Sequence, residues 1–134
     1  MMERWKPVVG YEGLYEVSDQ GRVRSLDRWY DRPASRRKPK PWRRCYPGQM
    51  ISVAPNGAGY PRVNLHRNRK REEKLVHWLV LEAFVGPCPA GEEGLHGNDI
   101  KTDNRLSNLR WGTRSDNVKD AIRNGRAFPF RRAA

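Results

Sequence analysis

The chain has 134 residues, with 27 Lys and Arg against 15 Asp and Glu and a formal net charge of +12; its sequence pI is near 10.4 and its mean hydropathy −0.95. That length suits one domain, or two small subdomains sharing a core, and the basic excess implies a polyanionic partner, nucleic acid before membrane. No apolar run approaches the ~20 residues of a spanning helix, the polar opening MMERWKPVVG points to a cytosolic protein, and Cys45 and Cys88 alone exclude a disulfide framework and a Cys-ligated zinc ribbon.

From Trp5 to Leu26 the pattern predicts a β-meander. Tyr15-Glu16-Val17-Ser18 and Arg22-Val23-Arg24-Ser25-Leu26 alternate apolar and polar residues around a turn at Asp19-Gln20-Gly21. Tyr15, Val17 and Val23 then face a core, and Arg22 and Arg24 face out. Between Arg22 and Arg44 lie ten basic and two acidic residues, a local net of +8. Pro33, Pro39, Pro41 and Pro47 argue against a helix there, so Arg28 to Arg44 reads as a long basic loop. Strands are expected at Gln49–Val53 and Tyr60–Leu65, joined by the turn residues Pro55-Asn56-Gly57-Ala58-Gly59. A second basic cluster follows at Arg67, Arg69, Lys70, Arg71 and Lys74.

Leu75 to Val85 is the strongest helix, with Val76, Leu79, Val80, Ala83 and Phe84 at helical spacing and Gly86-Pro87 as its stop. His77 on this helix is expected to pack or to make a structural hydrogen bond. His66 reads as a strand-end surface residue, and Trp5, Trp78 and Trp111 as core. Gly94 to Trp111 reads as two short strands flanking an irregular loop. Thr113 then caps a helix of about ten residues, with Asp116 completing a capping box and Gly125 at its end. The tail from Phe128 onward is expected to fray.

The chemistry lies in GLHGNDIKTDNRLSNLRWGTRSDN, Gly94 to Asn117. His96 is a base near neutral pH, and the amides of Asn104, Asn108 and Asn117 can orient an imidazole or coordinate a hard cation without adding charge. That combination suits phosphodiester hydrolysis by a base and a divalent metal.

Strand, loop, strand and a capped helix holding Asn117 is the layout of a ββα-metal nuclease motif, and the chain resembles the HNH homing-type endonucleases of phages and their introns. The resemblance is carried by Trp5-Lys6-Pro7-Val8, Gly10 to Ser18 and Gly21 to Leu26, which are similar to the short module that often precedes HNH in that family. It continues in the helix Val76 to Phe84, in Asp103-Asn104-Arg105, in Asn108 to Thr113 and in Asn117. The resemblance implies an α+β fold: a β-rich DNA-binding module over residues 1–66, an HNH nuclease region over 67–126 and a flexible tail over 127–134. It implies that His96 is the general base for in-line attack on phosphorus. Asn108, at the start of the second strand, would hold the imidazole through its side-chain or backbone oxygen. Asn117 would bind a metal that contacts a scissile phosphate oxygen and the leaving 3′ oxygen.

The family usually has a metal-binding, commonly acidic, residue just before that histidine; here it is Leu95, which cannot ligate a cation. Asn98, Asp99 or Asp103 can supply the ligand, with Asp99 and Asn117 the expected metal pair. Alternatively Asn117 and the DNA phosphate hold the ion, or the site is weak or inactive. Oxygen and amide donors favour Mg²⁺ or Mn²⁺ over Zn²⁺.

DNA contacts are expected from Arg22 and Arg24, on a hairpin that could enter a groove, from Arg36, Arg37, Lys38, Arg43 and Arg44 in the basic loop, where phosphate contact is the expected role, and from Arg62, Arg67, Arg110 and Arg114. The expected partner is double-stranded DNA, engaged by a monomer that nicks or a homodimer that cuts both strands. The expected setting is a phage-encoded protein in the cytoplasm of a bacterial host. The rival readings are a DNA-binding protein with a degenerate HNH centre and a basic RNA-associated protein, since charge alone does not separate DNA from RNA.

Overall fold

The computed structural model describes residues 2–125; the expected tail over 127–134 lies outside them. Trp5–Pro7 (β1), Tyr15–Ser18 (β2) and Val23–Ser25 (β3) form the expected antiparallel meander. Its alternation buries Tyr15, Val17 and Val23. The turn before β3 is tied by Ser18, whose Oγ accepts from the N–H groups of Gln20 and Arg22 at 3.2 and 3.1 Å.

The segment from Gln49 to Ile51 runs along the free edge of β3. Ser25 N–H donates to the Gln49 carbonyl at 2.8 Å and Ile51 N–H to that of Val23 at 2.9 Å. The strand expected over Gln49–Val53 is therefore reduced to a single bridge, Met50 opposite Arg24, and that segment joins the meander and not Tyr60–Leu65. The short Ala54–Pro55 (β6) takes that second place, antiparallel to Pro61–Arg67 (β7).

The basic stretch is no loop. Arg28–Arg32 (β4) and Trp42–Tyr46 (β5) pair antiparallel over five residues, with Arg28 opposite Tyr46 and Arg32 opposite Trp42. The prolines stand just outside these strands, at Pro33, Pro41 and Pro47, where no ladder N–H is needed. Because no residue of this ribbon is buried, no face demands apolar alternation, and the pattern that signals a strand never arises. Lys70–Leu75 (β8) lacks a strand pattern for the same reason: Lys-Arg-Glu-Glu-Lys is solvated, yet it pairs with β7 along its whole length. The β7–β8 turn is made by Asn68 and Arg69, both in the left-handed region at φ 52° and 62°, the conformation of a two-residue hairpin turn.

Helix α1 (Val76–Phe84) follows directly from β8, and Val76, Leu79, Val80 and Leu81 are buried. Burial of such side chains is worth ~1.5–3 kcal/mol each, so α1 organises the core. Around it pack Val8, Tyr11, Tyr15, Val17 and Val23 of the meander, Val63 and Leu65 of β7, and Leu109 from the C-terminal hairpin. One cluster thus joins residues from both sides of position 66, and that position falls within β7. Glu93–His96 (β9) and Leu109–Gly112 (β10) form the expected antiparallel pair, and Arg114–Arg123 (α2) the expected capped helix. Trp78 and Trp111 stack edge to face at 4.7 Å, half-buried on the core. Trp5 is not core: it is half-buried beneath the Arg24 guanidinium, 3.9 Å from its ring centre.

Candidate active site

In β9 and β10, His96 stands opposite Leu109, so the loop between them returns to its starting point and folds over the imidazole. His96 is 6% exposed. Its Nε2 lies 2.8 Å from Oδ1 of Asn104. An amide oxygen only accepts, so Nε2 carries the proton and Nδ1 keeps its lone pair. Burial pushes the His96 pKa below its ordinary value, opposed in part by the Asn104 hydrogen bond and by the charges of Asp103 and Asp99. The ring is therefore a neutral base with one defined tautomer at physiological pH.

The expected hold of the Asn108 side chain on the imidazole is not made; Asn104 makes it. Asn108 instead staples the loop. Its Nδ2 donates to Asn98 Oδ1 and to the Asp103 carbonyl, both at 2.9 Å, and its Oδ1 accepts from Asn98 N–H at 3.0 Å. Its own carbonyl accepts from Gly97 N–H at 2.7 Å, anchoring the chain just past His96. Both amides lie in the Asn-rich loop, and spacing alone does not say which one turns toward the ring.

Asn104 is itself fixed from the N-terminal half. A Cβ at Gly21 would come within 2.7 Å of the Asn104 Cβ, and Gly21 sits at φ +83°; only glycine meets both demands. Alongside, Leu106 N–H donates to the Asp19 carbonyl at 2.8 Å.

The metal candidates separate. Asp103 is held by Nε and Nη2 of Arg105 at 2.8 and 2.9 Å and by Asn98 Nδ2 at 2.8 Å, and the Arg105 guanidinium keeps its carboxyl far below the usual carboxylate range. Asn98 is bound into the same staple. Asp99, at φ 60°, lines a cavity of about 530 Å³ together with His96, Asn117, Leu95, Lys101, Tyr60 and His77. Its Oδ2 also accepts from Asn124 Nδ2 at 2.9 Å.

Asn117 reaches the cavity from α2, whose start is set by the capping box: Asp116 N–H donates to Thr113 Oγ1 at 3.2 Å, and Thr113 N–H to Asp116 Oδ2 at 2.9 Å. The far end of α2 is clamped to β10 through Asp120, 1% exposed, between Arg110 at 2.8 Å and Arg123 at 2.9 Å. Arg123 and Asn124 both donate to the Gly97 carbonyl, at 2.6 and 2.8 Å. The helix thus grips the loop directly after His96.

Leu95 is buried, and its Cδ1 fills the space a Cβ at Gly112 would need. Among the described residues no three His, Cys, Asp or Glu side chains converge as a cation site. The hard oxygens of Asp99 and Asn117 fit a hard cation that takes one or two protein ligands and completes its shell from phosphate and water.

Lys101 and His77 are among the cavity residues that the sequence did not assign to the site. Lys101 donates to the Ala58 carbonyl at 2.7 Å and lies over the Tyr60 ring. His77, expected only to pack, lies 4.8 Å from His96 between ring centres.

The residues expected to contact DNA fall into two groups. Arg22 pairs with Glu3, Arg24 with Glu16 at 2.7 Å, Arg62 with Glu73 at 3.4 Å, and Arg67 donates to the Gly10 carbonyl; Arg110 is committed to the buried Asp120. Arg36, Arg37 and Lys38 stand at the exposed tip of the β4–β5 ribbon, Arg43 and Arg44 on its second strand, and Arg114 is exposed on the first turn of α2. Lys38 lies over Trp42 at 3.7 Å and Arg44 over Tyr46 at 4.8 Å. Arg43 also pairs with Asp31, both exposed.

Comparison with known proteins places these features in a family. The model of the NUMOD4 motif matches residues 3–66, and that of an HNH endonuclease matches residues 74–119. The DNA endonuclease I-HmuI of Bacillus phage SP01 is 32% identical over 124 residues, which cover 90% of this chain and 59% of that protein. An uncharacterized HNH endonuclease of Acanthamoeba polyphaga mimivirus is 30% identical over 98% of this chain and 29% of its own length. A solved structure described as DNA binding and cleavage by the HNH homing endonuclease I-HmuI superposes with a TM-score of 0.67 at 28% identity, covering 92% of this chain and 60% of that one. The chain therefore spans about three fifths of the length of I-HmuI. With a NUMOD4 motif, an HNH region and a buried histidine at the end of β9, this chain belongs to the HNH endonuclease family, in its homing-type branch.

Proposed function

We propose that this protein is a metal-dependent endonuclease that hydrolyses phosphodiester bonds in double-stranded DNA, cutting one strand per site. The observation that carries the reading is that His96, its tautomer set by Asn104, and Asn117 of α2 line one cavity of a strongly basic protein. His96 Nδ1 takes the proton of a water as that water attacks phosphorus, and the Nε2–H bond to Asn104 keeps the ring aimed while charge develops on it. Asn108 holds the loop shape that brings Asn104 to the ring. Lys101 adds positive charge where the phosphate enters.

HNH nucleases generally use a divalent metal. Here Asn117 and Asp99 would hold it, as Mg²⁺ or Mn²⁺, and it would stabilise charge on the phosphate and on the leaving oxygen. Arg36, Arg37, Lys38, Arg43, Arg44 and Arg114 supply the phosphate-binding face; Arg22, Arg24, Arg62, Arg67 and Arg110, engaged within the protein, give mainly its field and its shape. A monomer nicks, and a pair of copies would cut both strands. Among the described residues no helix is long and apolar enough to cross a membrane, and a phage protein acting on DNA in its bacterial host fits the phage relative.

Leu95 favours a second reading, a DNA-binding protein with a degenerate centre, because the residue before His96 offers no ligand. Nicking of supercoiled plasmid by wild type and His96→Ala, across Mg²⁺, Mn²⁺ and Zn²⁺, separates the two. The nuclease reading expects metal-dependent nicking that falls about 100-fold or more with His96→Ala, at nearly unchanged DNA affinity. DNA binding with no cleavage in any metal would establish the degenerate centre.

A further inference from the structure

His77 is 3% exposed, and its Nδ1 is buried with no hydrogen-bond partner. Its ring packs beside those of Tyr60 and His96, with centres 5.4 and 4.8 Å away, and the Tyr60 and His96 centres are 6.0 Å apart, so the three form a triangle. It lines the same cavity as His96 and Asn117. A phenylalanine would fill this place beside two aromatic rings without stranding a nitrogen, whereas a buried polar atom left unpaired carries a free-energy cost. The packing alone gives no reason for an imidazole.

The neighbouring strand supplies one. Gly94, also on the cavity wall, lies against the other edge of the ring: a Cβ there would come 2.7 Å from His77 Cδ2 and 3.2 Å from Nε2. Any side chain at position 94 would cover the one nitrogen that is not sealed in the core. Glycine leaves that edge open toward the space in front of His96. Burial and the nearby His96 push the His77 pKa down to about 4, so the ring is neutral and carries a single proton. A stranded lone pair is tolerated better than a stranded N–H, which puts that proton on Nε2, at the open edge.

We propose that His77 is a second imidazole of the site, presenting Nε2–H as a neutral hydrogen-bond donor to a non-bridging oxygen of the phosphodiester that enters the cavity. The inference rests on the reading of this cavity as the cleavage site. It assigns the two histidines opposite tasks: His96 accepts a proton from water, and His77 donates a hydrogen bond to phosphate without transferring its proton. Neutrality suits the second task, because a cationic ring packed on His96 would oppose the charge that His96 acquires.

The test uses the full chain and three substitutions. His77→Phe keeps the ring and removes both nitrogens; His77→Gln places an amide N–H near Nε2; His77→Asn places one near the sealed Nδ1. Two readouts are taken: metal-dependent nicking rates, and affinity for a short DNA duplex in metal-free buffer. The expected result is a thermal midpoint for His77→Phe at or above wild type, with a nicking rate lowered about tenfold or more and a weaker duplex affinity. Gln should restore part of that loss and Asn none. Wild-type nicking and affinity in the Phe variant would overturn the proposal, as would equal behaviour of Gln and Asn should the Phe variant fail to fold. A wild-type chain that nicks nothing, yet binds duplex with His77-dependent affinity, would sink the cleavage reading while keeping the phosphate contact.

Discussion

Asn104 and His96 meet at 2.8 Å through Oδ1 and Nε2, and the Asn104 end of that bond is held against Gly21 of the N-terminal meander. The base is therefore oriented by a residue whose position depends on the opposite end of the chain. This is a physical link between the module that precedes the HNH region and the chemistry.

Asn104→Ala should lower kcat about tenfold or more, with little change in KM, because removing a hydrogen bond of ~1–3 kcal/mol frees the imidazole to rotate and to change tautomer. Asn104→Asp should act differently. A carboxylate beside the imidazole favours its cationic form, so the acid limb of the pH–rate profile should move to higher pH. Wild-type kcat in the Ala variant would remove Asn104 from its positioning role.

Stability should fall on mild acidification. The pKa of His77 is about 4 in the fold and that of His96 is also lowered, whereas both titrate near 6.5 in an unfolded chain. Above about 6.5 both states are neutral and stability does not change with pH. As pH drops toward 4 the unfolded chain takes up protons that the fold refuses, which costs at most about 1.4 kcal/mol per pH unit per proton. Asp103, depressed by Arg105, keeps its stabilising effect above about 4 and loses it only at lower pH. Urea unfolding at pH 7, 5.5 and 4.5 should show a decline that His77→Phe flattens; equal slopes in the two proteins would contradict the burial argument.

The ribbon tip should set the electrostatics of binding. Replacing Arg36, Arg37 and Lys38 together should weaken duplex affinity for all sequences alike. It should also flatten the salt dependence, by ~0.9 in log K against log salt for each phosphate that the variant no longer neutralises. Neutralising Arg22 and Arg24, which are paired with Glu3 and Glu16, should change that slope less. Fluorescence anisotropy over a salt series decides, and an unchanged slope for the triple variant would mean that the tip touches no DNA.

Leu95→Asp should reduce the Mg²⁺ or Mn²⁺ concentration needed for half-maximal nicking, since it adds an anionic oxygen on the cavity wall. The same carboxylate would be buried against Gly112, so without metal the thermal midpoint should fall. Activity that drops at every metal concentration would show that the cation lies elsewhere, with Asp99 the next residue to substitute.

Much of this molecule is legible in its sequence where one face of an element is buried. The meander, α1 and the capped α2 all read correctly because burial imposes a period of two or near 3.6 on apolar residues, and because Thr113 and Asp116 close a cap that local chemistry alone defines. The N-terminal module followed by the helix Val76 to Phe84, Asp103 to Arg105, Asn108 to Thr113 and Asn117, in that order, likewise carried the family. The ribbon β4–β5 and strand β8 did not read as strands, since the backbone hydrogen bonds of a solvated strand leave no mark on its side-chain polarity. Nor did the choice of Asn104 over Asn108 as the partner of His96, or the place of His77 beside it. Those were decided by distances between residues far apart in the chain: Gly21 against Asn104, and Gly94 against the His77 ring. Local sequence specifies which groups are available for chemistry; only the packing of the meander, α1 and the β9–β10 hairpin around one core determines which of them touch.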